Sequence, residues 1–193
     1  MGFINSVKGK ILIGFILAII VYISFRGDAA EAQNMSHYGV TVWLHVLAGI
    51  VWIGLLYYFN FVQVPGMGQA LADKDGPGPA AIGKYIAPRA LLWFRMAAAT
   101  TLILGLVLLG TTGSIGNAYM LAPGFQVIGL GTWLGTIMAF NVWFIIWPNQ
   151  QKILGMVSAT DAQIAKAKAN AALASSANVI MSVPMLLTMI AWH

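Results

Sequence analysis

Apolar residues in this chain are gathered into long blocks, with the polar residues pushed between them. Five runs stand out: Ile11–Phe25, Val40–Val62, Leu91–Thr111, Phe125–Trp147 and Ser175–Trp192. A helix needs about 20 apolar residues to cross a hydrocarbon core, and each of the last four is near that length. The pattern predicts an all-α fold, an integral membrane helical bundle with five transmembrane helices. The first run has a second reading. Lys8 and Lys10, a shorter apolar stretch and then Asp28-Ala29-Ala30-Glu31-Ala32 fit a secretory signal with a small-residue cleavage site, which leaves four helices. Numbering from Met1 favours an uncleaved anchor over residues 1–26. Residues 1–193 are expected to form a single transmembrane domain with no room for a separate soluble one.

The connections differ in kind. Residues 63–90 form a Gly- and Pro-rich connection that is expected to be irregular at Gly76-Pro77-Gly78-Pro79. Residues 112–124 are short and uncharged. Pro148 is expected to end the fourth span. Thr160-Asp161 fits a helix start, with Thr160 as the cap and Asp161 favourable in the first turn. From Ala162 a surface helix should run straight into the fifth span. No internal repeat is evident. Gly131, Gly135 and Ala139 recur every four residues, as do Ala97, Thr101 and Gly105, and such stripes let helix backbones approach closely.

Charge sets the expected orientation. If the runs cross alternately, Lys8, Lys10, Lys74, Lys84, Arg89, Arg95, Lys152, Lys166 and Lys168 share one face and only Arg26 lies on the other. Basic residues of short loops stay in the cytoplasm, so the amino terminus is expected inside and the carboxyl terminus outside. The net charge of +5 then reflects topology and anionic lipid, with no nucleic-acid partner. The chain is 60% hydrophobic and 8% charged, far from a soluble composition. It holds no cysteine, which excludes covalent c-type haem attachment, thiolate metal sites and cysteine-ligated iron–sulfur clusters.

Polar residues inside the apolar runs carry the candidate chemistry. His45 shares a helical face with Gly49, Trp52, Leu56 and Asn60. A histidine nitrogen can coordinate haem iron, and a glycine one turn away makes room for the porphyrin, so His45, Gly49 and Trp52 are candidate cofactor residues for haem b or a quinone, with His45 the metal ligand. The alternative is a neutral histidine bonded to a neighbouring helix. His37 lies too far along the same helix to share a metal with His45, so a two-histidine haem needs His193 or a second subunit. Nearer the other end lie Asn60 and Gln63, Arg95, Asn141, Asn178 and Ser182. Asn60, Arg95 and Asn141 are candidate substrate-binding residues, the arginine attracting an anion and the amides hydrogen-bonding it, with Tyr57 or Tyr58 alongside. The alternative is an Arg95 that only reaches up to the interface. Asp and Glu are missing from the spans, and no phosphate loop or serine triad is present.

Three stretches resemble one family. Trp43-Leu44-His45-Val46-Leu47-Ala48-Gly49 with Trp52 to Gln63, Pro88-Arg89-Ala90-Leu91-Leu92-Trp93-Phe94-Arg95, and Asn141 to Gln150 are similar to the amino-terminal membrane domain of bacterial membrane-bound urate hydroxylases, the urate oxidase N-terminal family. The resemblance covers the second to fourth spans and extends to the fifth less clearly. It implies a multi-pass protein of the bacterial inner membrane, and hydroxylation of urate with electrons passed to a respiratory chain. In that family a cytochrome c domain follows the membrane domain. This chain reaches His193 without a CxxCH, so a separate cytochrome c or another membrane subunit is the expected partner. A non-catalytic scaffold subunit is the alternative.

Overall fold

In a computed structural model, the structure describes residues 7–24 and 36–191. Arg26, the segment Asp28 to Ala32, Trp192 and His193 lie outside the described residues, and with them the cleavage-site and second-ligand expectations. The described residues are helical and contain no strand. They divide into two compact units, Met1–Thr41 and Val42–His193. Six helices follow in order: α1 Val7–Ser24, α2 His37–Ala72, α3 Ile82–Thr111, α4 Ile115–Tyr119, α5 Gln126–Ile153 and α6 Asp161–Ile190. Four of them, α2, α3, α5 and α6, are long and apolar enough to cross a membrane. The apolar part of α1, Ile11–Val21, is shorter.

Three helices run through a wide π-turn: Tyr58–Gln63 in α2, Ile82–Ile86 at the head of α3 and Asn141–Ile146 in α5. Each π-turn is followed at once by a proline in the next turn, Pro65, Pro88 and Pro148. A proline cannot donate to the carbonyl four residues back and its ring collides with it. A π-turn, with its five-residue spacing, widens the helix by one residue and relieves both problems. The helices therefore continue through these prolines, at Pro148 where a stop was expected. Gln63 does not open an irregular loop, because α2 runs on to Ala72. Pro148 does not end its span, because α5 runs on to Ile153. The expected irregularity around Gly76 to Pro79 is present.

The start of α6 follows the sequence. Gln163 donates its backbone N–H to Thr160 Oγ1 at 3.3 Å, and Thr160 donates its own to Gln163 Oε1 at 2.8 Å. This reciprocal cap satisfies two orphan donors. The helix then runs unbroken from the alanine-rich segment into the apolar one, through Pro184. The core of the second unit gathers Trp52, Leu56, Phe59, Phe94, Met138 and Val142, with Ala174 and Met185 from α6. α5 also packs closely on α6, where a Cβ on Gly131 would stand 2.7 Å from Thr188 Oγ1. Gly135 takes no part in that approach, since a Cβ there would meet nothing within 4 Å. Gly129 lies against α4, and a Cβ there would overlap the Ala118 carbonyl. The 112–124 connection is thus a packed turn around α4, with Gly113 and Gly124 at positive φ, 66° and 85°.

Candidate functional site

Two polar regions lie within the apolar core, one at each end. The first is around His45 on α2. Its Nδ1 lies 2.9 Å from the Thr101 carbonyl on α3. A carbonyl only accepts, so Nδ1 carries the proton and Nε2 keeps its lone pair. Thr101 is free to offer that carbonyl's second lone pair, while its hydroxyl bonds back to Ala97 O at 2.8 Å. Gly105 lies under the ring, where a Cβ would sit 3.0 Å from His45 Cε1. The small residues of α3 therefore serve the imidazole as much as the helix backbones. Gly49 faces the same helix, its missing Cβ 3.8 Å from Thr101 Cγ2. Trp52 is 2% exposed in the core, and its indole N–H has no hydrogen-bond partner among the described residues.

An imidazole that bonds a backbone carbonyl through one nitrogen and leaves the other bare is the form in which histidine ligates iron. It is equally the neutral histidine bonded to a neighbouring helix that the sequence left as the alternative, and Gly49 faces Thr101. The described residues hold no cluster of three or more His, Cys, Asp or Glu for a bare metal ion.

The second region is a seam of amides and hydroxyls along α6. Asn178 and Ser182 are both 0% exposed. Asn141, in the α5 π-turn, donates Nδ2 to Asn178 Oδ1 at 2.8 Å, and Asn178 donates to the Met138 carbonyl at 3.0 Å. Asn60, in the α2 π-turn, donates to Leu56 O and to Ser175 Oγ, each at 2.8 Å. Ser182 Oγ donates to Val179 O, so the Tyr57 hydroxyl donates to Ser182 at 2.9 Å. Ser175, Asn178 and Ser182 share one face of α6 at helical spacing, and α2 and α5 both clip onto that face.

Arg95 is placed apart from these amides. Its guanidinium lies over the Trp147 ring, 3.7 Å from the centroid, a cation–π contact. Its backbone carbonyl accepts the Trp143 indole N–H at 3.0 Å. Asn60, Arg95 and Asn141 make no hydrogen bond to one another among the described residues. Asn60 and Asn141 are brought together through α6, and Arg95 is joined to the α5 π-turn through Trp143. Gln63 is buried with its Oε1 unpartnered, a feature its polar character alone did not signal. The central parts of Asn178 and Ser182 were legible as polar residues at the right depth. Their partners were not, because depth does not say which helices are neighbours.

Residues 114–193, from the turn around α4 to the end of α6, match the urate oxidase N-terminal family. No curated protein and no solved structure matches the chain. The family match thus lies on the fourth and fifth apolar runs, whereas the resemblance in the sequence was strongest on the second to fourth.

Proposed function

We propose that the chain is a multi-pass redox protein of the bacterial inner membrane, related in role to the membrane domain of urate hydroxylases. In this reading it takes part in urate oxidation and hands electrons to a separate cytochrome c or to a quinone. All five apolar helices cross, with the amino terminus and the basic residues on the cytoplasmic face. The observation that carries the redox part is His45, tied to the Thr101 carbonyl through Nδ1 with no bond to Nε2 among the described residues. His45 Nε2 would hold the iron of a b-type haem, which supplies one-electron transfer when bound. Thr101 orients the ring and Gly105 gives it a flat neighbour. Asn60, Arg95 and Asn141 would serve an anionic substrate, with Arg95 supplying the charge.

Oxidised and dithionite-reduced optical spectra of the purified protein test this directly. The expected result is a Soret band that shifts on reduction and is lost in His45→Ala while the protein stays monodisperse. Protein purified from haem-sufficient cells with no Soret band would remove the haem reading. Urate consumption by membranes should fall in Arg95→Ala.

One observation favours a second reading, a non-catalytic scaffold subunit. Every bond of the α6 seam joins one helix to another or to its own backbone, which is what polar residues do when they only tie helices together. Turnover and bound cofactor in the isolated chain would speak against it.

A further inference from the structure

The two hairpins of the second unit carry a similar pattern. Trp52-Ile53-Gly54 is followed by Phe59-Asn60, and Trp133-Leu134-Gly135 by Phe140-Asn141, with every pair at one constant offset along the chain. A repeat is therefore present after all, too widely spaced to show as a short period. Both asparagines belong to π-turns, Tyr58–Gln63 and Asn141–Ile146, and both turns lead into a proline. The contacts give the relation in space. Along α6, Tyr57 and Asn60 meet Ser182 and Ser175, and Gly131 and Asn141 meet Thr188 and Asn178. Both α2 and α5 therefore run antiparallel to α6 and parallel to each other.

The asparagines of both copies bond the same helix, Asn60 to Ser175 and Asn141 to Asn178 on α6. The α5 π-turn also reaches the return helix of the first hairpin, through Trp143 to the Arg95 carbonyl on α3. Turns that depart from α geometry ahead of a proline, at corresponding positions of two membrane repeats, point to a ligand site.

The chemistry at that level is also paired. Asn60 and Asn141 each use Nδ2 for a bond to α6, one helical turn apart, and neither Oδ1 has a bond among the described residues. We propose that the two π-turns are duplicate halves of one binding site, taking a small polar solute that offers an N–H or O–H donor to each Asn Oδ1. This rests on the reading of Asn60 and Asn141 as substrate residues, and adds that they are equivalent, that they act as acceptors, and that donors on the solute are required.

The test uses the full chain in lipid nanodiscs, with urate and its fully N-methylated analogue as probes and binding followed by calorimetry. The analogue keeps the ring and carbonyls and lacks every N–H. Asn60→Leu and Asn141→Leu should each weaken urate binding about tenfold, the worth of one hydrogen bond in affinity. The analogue should bind at least as much weaker, because a site built around hydrogen bonds rejects a ligand that lacks them. Where a Leu variant is not monodisperse, Asn60→Ser and Asn141→Ser replace the pair and should show the same matched loss. Equal binding of the two probes, a loss at only one asparagine, or no urate binding by the unaltered chain would each overturn the proposal. The redox reading fails separately: this binding pattern without a Soret band removes the haem and leaves the shared site.

Discussion

The Trp-x-Gly hairpin segments of α2 and α5 are close in sequence and different in surroundings. Trp52 is 2% exposed with an unpartnered N–H, whereas Trp133 is 42% exposed and donates to the Tyr119 carbonyl at 2.9 Å. Asn60 bonds a serine and its own helix, while Asn141 bonds a fully buried asparagine. At the end away from the π-turns the second copy has Gly129 and Gly131 where the first has Ala48 and Ile50. The glycines let α4 and α6 press against the α5 backbone, and the first copy has no such crowding at Gly49. A shared local pattern therefore dictates the helix and its π-turn, and the neighbours decide which polar groups find partners. The second copy is the better-saturated frame. The first holds the two fully buried groups that lack a partner among the described residues, the Trp52 indole N–H and Gln63 Oε1.

Substitutions can break or sharpen that contrast. The largest expected effect is Gly129→Ala, because the obstacle is the Ala118 backbone carbonyl; about 3 kcal/mol of stability should be lost, read from unfolding in mixed micelles. Ala48→Gly, its counterpart in the first copy, should cost no more than the helix propensity difference of about 1 kcal/mol. Next is Asn178→Leu, which strands the Asn141 amide and should cost about 1.5 kcal/mol. Tyr57→Phe removes one interhelical bond and should cost about 0.6 kcal/mol in the same assay. Smallest is Trp52→Phe, which deletes a buried donor that bonds nothing; stability should stay within about 0.5 kcal/mol or rise. A loss of several times that from Trp52→Phe would mean that the core does not close over the space left by the smaller ring.

Much of the helical frame could be read from the residues. Runs of apolar side chains located α2, α3, α5 and α6, and the Thr160 and Gln163 pair marked the start of the last one. Pro148 misled, because a proline after an apolar run ordinarily stops a helix and the π-turn that absorbs it leaves no compositional trace. The shared depth of Asn60, Asn141, Asn178 and Ser182 was visible from counting residues along opposed helices. That Arg95 would lie on Trp147, away from these amides, was not, since it depends on which face α3 turns toward α5. The partner of His45 is a backbone carbonyl, a group present in every residue, so no side chain could announce it.

The π-turns have a consequence for how this chain can change length. Each takes up one residue more than a regular turn, so the helix beyond it keeps nearly the rotation that a plain helix would have. Deleting Val62 would let α2 close into ordinary α geometry with the segment from Pro65 to Ala72 facing as it does now, and would bring the Pro65 ring back against a carbonyl four residues earlier. A single codon lost at this point would be absorbed where it falls, with no twist passed along the helix.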